Sequence, residues 1–269
     1  DHLMMTTPVT SPGAASHSEQ RGKKLIAVAS GKGGVGKTWF SITLAHSLSQ
    51  QRQKTLLFDA DLGLANIDIQ LGLMPQRDLG GVIDGRLSLN QAKVRLQDYD
   101  FDIIAGRSGA AALSALAPNR LLSLGMDLLK LSENYDHTIM DLGAGIDRTV
   151  RLMANRAGKV LVLTTPEPTA LTDAYAFIKV TAQNDPNADL RIVVNQAESR
   201  SEGQRTYETL RKAAESFLGI TPALAGIIRR DRKVPDSIRA QIPFLTRHPG
   251  SDAAQDVAAL VNGLLRSPS

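Results

Sequence analysis

The chain has 269 residues, a formal net charge of +4 and an isoelectric point near 9.4. It contains no cysteine, which excludes disulfides, thiol catalysis and cysteine-ligated iron–sulfur clusters. The sequence has no run of about eighteen apolar residues that would predict a membrane span, and no apolar segment near the N-terminus that would predict a signal peptide. We therefore expect a cytoplasmic protein with an ordinary, mildly basic surface.

The beginning of the chain is rich in serine, threonine, proline and alanine and lacks periodicity, which predicts a disordered tail over 1–22. Its first residues, Asp1–Met5, are interpreted as a cloning remnant. The remaining residues, 23–269, are predicted to form one domain, which is long enough to bury a real core.

The residues Gly31–Thr38 match G-x-x-x-x-G-K-[ST], the pattern of a phosphate-binding loop. An apolar run, Leu25–Ala29, precedes them and predicts a buried strand, while apolar residues at helical spacing follow. This order lets backbone N–H groups surround a phosphate at the positive end of a helix dipole. Lys37 is expected to bind the β- and γ-phosphates, and the Thr38 hydroxyl to hold Mg²⁺. The residues predicted to contact the nucleotide here are Gly33, Gly34, Val35, Gly36, Lys37, Thr38 and Trp39.

A second lysine, Lys32, stands near the start of this loop, where it is not needed to bind a phosphate of its own subunit. A long cation there can reach a nucleotide on a facing subunit and neutralise charge in the transition state, as an arginine finger does. A solvated surface lysine is the alternative, and spacing alone does not choose between them.

A second strand is predicted over 54–59 and leads into the carboxylates Asp59 and Asp61. Carboxylates at the end of a strand in an open α/β sheet lie in the crevice where ligands bind. Asp61 is expected to orient the attacking water or to hold Mg²⁺, with Asp59 supporting it from the same edge. A polar strand end with a helix cap is the alternative.

Further apolar runs predict strands that alternate with helices, one of which begins at Pro118. These strands are expected over 101–105, 137–141, 159–163, 190–194 and 225–228. Asp141 ends one of them, which suits the Walker B role of holding Mg²⁺ through water. The glycines of the next residues, Leu142–Gly145, suit a loop that moves when the γ-phosphate comes and goes.

Two polar features follow the later strands. Asn195 can pair with adenine through its amide or can simply form a turn, and both interpretations are open. Arg229, Arg230, Arg232 and Lys233 form a basic cluster that is compatible with DNA phosphates. No aromatic residues interleave it, so we favour a solvated rim beside the ATP phosphates over DNA binding.

The segment Lys32–Thr38 resembles the deviant Walker A motif of the MinD/ParA family of dimerising ATPases. That resemblance implies that Lys32 crosses the dimer interface. Residues 59–68 are similar to the family's switch I, whose second aspartate, here Asp61, is needed for hydrolysis. Asp141–Gly145 is similar to its switch II.

The resemblance also implies contacts with the adenine base, made by Asn195 and by the residues that follow the last strand, Arg229 and Asp231. Family members usually carry a proline where this chain has Arg229. Trp39 likewise replaces a residue that is usually small and polar.

Three loop segments resemble one branch of the family, the flagellar-number regulators called FlhG or FleN. They are Val82–Arg86, Gly106–Gly109 and Thr164–Thr169. This implies control of flagellar number or placement. The partners implied are a signal-recognition-type flagellar GTPase, flagellar switch proteins or a transcription activator.

The closing helix is predicted over about 252–266, with an apolar face that favours core packing. The residues on that face are Ala254, Val257, Ala258, Val261 and Leu265. MinD and many flagellar relatives continue into an amphipathic membrane-targeting helix, and no such segment is visible before Ser269. Either such a helix lies beyond this sequence or this protein does not bind membranes by that route, and both interpretations are open. Recruitment to the cell pole or the inner membrane face through partners is expected.

These observations predict a single-domain α/β P-loop NTPase with a mostly parallel sheet of about seven to eight strands and helices on both faces. We expect a slow, partner-stimulated ATPase that dimerises with ATP and is monomeric with ADP or without nucleotide. Mg²⁺ would be organised by Thr38, Asp61 and Asp141. The alternatives are a ParA-like ATPase that positions DNA or cargo, and an adaptor that binds nucleotide without hydrolysing it.

Overall fold

The computed structural model describes residues 21–61, 67–73, 76–106 and 116–267. The strands within these ranges are β1 (Gly22–Ser30), β2 (Thr55–Ala60), β3 (Val94–Leu96), β4 (Phe101–Ile104), β5 (His137–Leu142), β6 (Ala157–Thr164), β7 (Leu190–Ala197) and β8 (Ala223–Arg229). The helices are α1 (Lys37–Gln50), α2 (Ile67–Leu71), α3 (Leu79–Ile83), α4 (Leu89–Ala92), α5 (Pro118–Ser132), α6 (Arg148–Ala154), α7 (Pro168–Asn184), α8 (Arg200–Leu218), α9 (Lys233–Ala240), α10 (Phe244–Arg247) and α11 (Asp252–Arg266).

In the described part of the chain the strands form one eight-stranded sheet in the order β3-β4-β2-β5-β1-β6-β7-β8. Neighbouring strands pair in parallel except β3 and β4, which are antiparallel. The predicted α/β class and mostly parallel sheet are therefore confirmed. Because β1 is flanked by β5 and β6, its carboxyl end lies where the strand order reverses, which is where open α/β sheets bind ligands.

Both faces of the sheet are covered by helices, as predicted. Alternate residues of β1 belong to different cores: Leu25 and Ala27 pack with one, and Ile26 and Val28 with the other. The first core lies against α3–α8, and the second against α1, α2 and α9–α11. Strands buried on both faces explain why the sequence shows continuous apolar runs rather than strict alternation.

Two helices carry the packing that supports the ligand-binding edge. Residues 37–49 of α1 are all buried, because the sheet, α10 and α11 enclose that helix. The bounds predicted for α11 are confirmed, but its buried face is rotated from the predicted one: Ala258 is exposed and Leu264 is buried. Asp256 is also buried, although its charge suggests a surface position.

Of the described elements, six were not predicted from the sequence, namely β3, α2, α6, α8, α9 and α10, and one boundary was misplaced. The predicted tail is two residues too long, because Gly22 pairs with Ala157 in the sheet and Arg21 forms an ion pair with Asp185. The rest of that tail, half of the predicted switch I (62–66) and residues 107–115 of the loop after β4 lie outside the described residues.

Among the helices that the structure describes, none combines the length and apolar character needed to cross a bilayer.

The buried ring of His46 on α1 predicts a loss of stability in acid. The ring contacts Tyr99 edge to face, and burial lowers the pKa of His46 from 6.5 to about 4. Its contribution to the free energy of unfolding is therefore complete above pH 6.5 and decreases as the pH falls toward 4, by up to about 3 kcal/mol. The variant His46→Gln, which cannot be protonated in this range, should lack this part of the pH dependence.

Urea unfolding of both proteins across this pH range measures the effect. A difference in unfolding free energy between wild type and variant that does not change with pH would contradict the explanation.

Candidate functional site

A cleft of about 1470 Å³ opens at the carboxyl ends of the central strands. One part of its lining is the loop between β1 and α1 with the start of α1, Gly31–Thr38, which we call the P-loop. Another part is the loop that follows β8, residues 229–232, which we call the base-side loop. Of the predicted site residues, those that line the cleft are Lys32, Gly33, Gly34, Gly36, Lys37, Thr38, Trp39, Asp61, Asn195, Arg229 and Asp231.

The glycines of the P-loop are needed for different reasons. Gly34 and Gly36 have φ angles of 81° and 84°, in the left-handed region that favours glycine. At Gly31 an added Cβ would lie 2.0 Å from the carbonyl oxygen of Asp173 on α7, so α7 packs directly against this backbone. At Gly33 an added Cβ would meet nothing within 4 Å. That open side is available to a ligand that approaches the backbone closely.

Asp141 lies beneath the P-loop and joins it to the sheet. The carboxylate is 1% exposed and accepts hydrogen bonds from Lys37 Nζ at 2.6 Å, Thr38 Oγ1 at 3.2 Å and Ser41 Oγ at 3.0 Å. The predicted grouping of Lys37, Thr38 and Asp141 is thus present. Ser41 was missed, although a polar residue one turn after Lys37 in a buried helix is a usable signal.

Asp59 is fully buried on β2, directly beside Asp141 on β5. Burial, and then the negative charge of Asp141, raise the pKa of Asp59 to about 7. Its carboxylate accepts hydrogen bonds from the backbone N–H groups of Asp61 and Ile67, at 3.1 Å and 3.4 Å. Asp59 does not line the cleft, so its contacts are those of a residue that holds the switch I backbone.

Asp61 lines the cleft and faces the predicted switch II turn. A Cβ added to Gly143 would lie 3.3 Å from Asp61 Oδ1, so the two loops are in close contact. The switch II turn is also bound to the chain just before the P-loop, because the Gly145 N–H donates to the Ser30 carbonyl oxygen at 2.9 Å. A displacement of one of these segments therefore affects the others.

Lys32 lies at the mouth of the cleft with its side chain 40% exposed. Its Nζ donates to Thr169 Oγ1 at 2.9 Å and lies 4.0 Å from Glu167 Oε2, both near the start of α7. The ammonium group is therefore held at the surface, where a facing protein molecule can reach it.

Asn195 and Trp39 take up structural positions beside the P-loop. Asn195 is 3% exposed, and its Nδ2 donates to the Val35 carbonyl oxygen at 2.8 Å, which fixes the loop. The indole of Trp39 packs edge to face on Phe244 of α10, with ring centroids 5.3 Å apart. The large side chain is thus accommodated by α10. These two contacts do not show whether Asn195 or Trp39 also touches a nucleotide, so that role stays a prediction.

The side chains of Arg229, Arg230 and Asp231 in the base-side loop are engaged by the protein itself. The Arg229 guanidinium binds the carboxylate of Asp256, with Nε 2.9 Å from Oδ2. Asp231 accepts hydrogen bonds from the N–H groups of Lys233 and Ala253. Direct contact of Arg229 or Asp231 with adenine therefore stays a prediction. The basic cluster borders the cleft, as expected for a rim, since Arg230 and Arg232 line it.

These residues fit a nucleoside triphosphate with Mg²⁺. The open backbone at Gly33 and the helix dipole of α1 suit phosphate oxygens, and Lys37 supplies a cation. Thr38, Asp141 and Asp61 supply the oxygen ligands, direct or through water, that Mg²⁺ prefers. When bound, Mg²⁺ would neutralise charge on the phosphates.

Two alanine substitutions in the P-loop should separate its structural role from its binding role. Gly31→Ala places a methyl group against the Asp173 backbone and should lower the unfolding temperature. Gly33→Ala meets open space and should melt as the wild type does. It should nevertheless weaken ATP binding by about tenfold or more, because the methyl group blocks close approach of phosphate to the backbone.

Thermal unfolding and titration with a fluorescent ATP analogue measure the two effects. Equal unfolding temperatures for the two variants, or ATP binding of wild-type strength by Gly33→Ala, would contradict this description of the loop.

Comparison with known proteins gives the family. The family model of the CobQ/CobB/MinD/ParA nucleotide binding domain matches residues 26–244. The chain is 36% identical over 231 residues to the antiactivator FleN of Pseudomonas aeruginosa, covering 86% of this chain and 82% of that protein. It is 35% identical over 193 residues to the flagellum site-determining protein YlxH of Helicobacter pylori, covering 72% and 65% of the two chains.

Solved structures show the same fold. The cell division ATPase MinD of Pyrococcus furiosus superposes with a TM-score of 0.76 at 22% identity, covering 91% of this chain and 99% of that one. MinD of Pyrococcus horikoshii, complexed with Mg-ADP, superposes with a TM-score of 0.75 at 23% identity, covering 90% and 96%.

The predicted family and its FlhG/FleN branch are confirmed by these relatives, and the residues of the site fit the predicted ATP, ADP and Mg²⁺. The chain belongs to the CobQ/CobB/MinD/ParA nucleotide-binding family.

Proposed function

We propose that this protein is an ATP-dependent, dimerising ATPase that regulates the number or placement of flagella. It is a dimer with ATP and a monomer with ADP or without nucleotide. The observation that carries the proposal is the position of Lys32, exposed at the mouth of a complete phosphate site. The likeness to FleN and YlxH, over most of the chain, supplies the flagellar context.

Each residue of the site has a role in this mechanism. Lys37 would bind the β- and γ-phosphates against the P-loop backbone, and Thr38, Asp61 and Asp141 would hold Mg²⁺. Asp61, which lines the cleft, orients the attacking water. Lys32 of each subunit reaches the phosphates of the partner's nucleotide and offsets the charge that develops in the transition state.

The contacts between the loops link hydrolysis to dimerisation. Asp61 packs on Gly143, and Gly145 is bound to the strand end that precedes the P-loop. Asp59 accepts hydrogen bonds from the backbone N–H groups of Asp61 and Ile67, which both belong to the predicted switch I. Loss of the γ-phosphate removes the contacts that order these loops, so the dimer opens. Slow hydrolysis then acts as a timer.

The partners of the dimer follow from the relatives. An antiactivator acts on an activator, which supports a transcription activator as one partner. A MinC:MinD complex from Aquifex aeolicus shows that a relative of the same fold binds a second protein. The proposed candidates are a transcription activator, a signal-recognition-type flagellar GTPase and flagellar switch proteins. Recruitment to the cell pole or the inner membrane face would go through them.

A second candidate is a ParA-like ATPase that rides on DNA. It is favoured by Arg232 and Lys233, which are exposed and form no ion pair with the part of the chain that the structure describes. This candidate requires ATP-dependent binding to random duplex DNA that weakens steeply with salt. It is rejected if an ATP-locked dimer does not bind DNA. The non-hydrolysing adaptor requires no phosphate release even with partners present, and Asp61 and Lys32 argue against it.

Light scattering of three proteins with ADP and with ATP tests the dimer. Asp61→Ala should bind ATP without hydrolysing it and should therefore be dimeric in ATP and monomeric in ADP. Lys32→Ala combined with Asp61→Ala should stay monomeric in ATP, because the charge between the two nucleotides is no longer neutralised. The wild type should dimerise only until its ATP is consumed.

A monomeric Asp61→Ala protein in saturating ATP would contradict the proposal. Dimers of equal stability with and without Lys32 would contradict the role given to that lysine.

A further inference from the structure

The base-side loop and the start of α9 complete the cleft away from the phosphates. Val234 and Pro235 line the cleft next to residues 229–232. In the proposed function the P-loop binds the phosphates, so the ribose and base of ATP would extend toward these residues. Apolar side chains beside a few fixed polar groups are what a purine-binding wall requires.

One buried carboxylate, Asp256 of α11, holds the first residue of this loop. The Asp256 side chain is 4% exposed. It accepts hydrogen bonds from the Arg229 backbone N–H at 2.9 Å, from Nε at 2.9 Å and from Nη2 at 3.1 Å. A bidentate, charge-assisted pair of this kind fixes orientation as well as position. Leaving the buried Asp256 carboxylate without the Arg229 guanidinium would be costly.

A second attachment lies nearby. Asp231 accepts a hydrogen bond from the Ala253 N–H at 3.1 Å, in the first turn of α11. The helix is itself fixed in the core by Val257, Leu260 and Val261. The base-side loop is thus tied at two points to an element that contributes no residue to the cleft lining.

We propose that Asp256 is a positioning residue for ATP binding, which acts by holding Arg229 so that the base-side loop presents a fixed surface to the base. The inference rests on the proposed function, in which ATP occupies this cleft. Arg229 contributes by the position that it gives to the backbone, since its guanidinium group is bound to Asp256.

Comparison of two ligands distinguishes positioning from general stabilisation. ATP uses the whole cleft, whereas tripolyphosphate uses only the P-loop end. Asp256→Asn keeps the shape and one acceptor but removes the charge. It should weaken ATP binding by about tenfold and leave tripolyphosphate binding unchanged in titration calorimetry. In steady-state kinetics it should raise KM for ATP with kcat retained.

The chain offers a matched control. Arg191 and Asp189 form a similar bidentate pair, Nε to Oδ1 at 3.1 Å and Nη2 to Oδ2 at 3.0 Å, at the amino end of β7, away from the cleft. Asp189→Asn should therefore leave both affinities unchanged. Arg229→Gln should reproduce the effect of Asp256→Asn. The double variant should bind ATP no more weakly than either single one, because both act through one contact.

Equal weakening of ATP and tripolyphosphate by Asp256→Asn would overturn the inference and leave Asp256 a stability residue. So would ATP binding within about twofold of the wild type in both Asp256→Asn and Arg229→Gln. If the wild type bound tripolyphosphate and ATP with equal affinity, the claim that the base-side loop contacts the base would be wrong, whereas the phosphate site would stand. A wild type that binds neither ligand would overturn the proposed function itself, and this inference with it.

Discussion

The buried pairing of Lys37 with Asp141 is the contact on which the site depends. Burying two charges costs free energy, and this cost is offset only when their remaining hydrogen-bonding groups have partners. Here the Asp141 carboxylate also accepts hydrogen bonds from the Thr38 and Ser41 hydroxyls. The pairing fixes the first turn of α1 to the carboxyl end of β5, so the P-loop that spans β1 and α1 cannot shift independently. ATP bound at the P-loop would take Lys37 as a partner, which couples nucleotide binding to the switch II segment that begins at Asp141.

The two ends of the cleft are built by different parts of the chain. The phosphate end comes from β1, α1 and β5, at the reversal of strand order, whereas the opposite wall comes from the residues after β8 and is held by α11. Lys32 lies in the P-loop, but its ammonium group is held at the surface near the start of α7. In the proposed mechanism, nucleotide binding and the signal that binding has occurred would therefore depend on different side chains. This separation suits the proposed function, in which the regulatory signal is the formation of the dimer and not the hydrolysis of ATP.

The sequence predicted the parts of the site whose chemistry is local in the chain. The P-loop, Asp141 and the strand ends were predictable because glycines, a lysine and a hydroxyl at fixed spacing have few other uses. The burial of Asp256 could not be predicted, because a carboxylate on a helix normally faces water. Its burial is favourable only because the folded chain places Arg229 beside it. Ser41 was missed although its place one turn after Lys37 in a buried helix was a usable signal. β3 was missed because a strand of three residues is too short to show a periodic pattern. The buried face of α11 was predicted wrongly because its packing against the rest of the protein, and not its most apolar stripe, determines which residues are buried.

The central claim is that ATP joins two copies of this chain, with Lys32 supplying charge from each side. A crystal structure of Asp61→Ala with ATP and Mg²⁺ tests it most directly. We predict two facing protomers in which each Lys32 Nζ has left Thr169 and lies about 3 Å from a phosphate oxygen of the partner's nucleotide. ATP bound in the cleft while Lys32 still donates to Thr169 of its own subunit, with no facing protomer, would contradict the account.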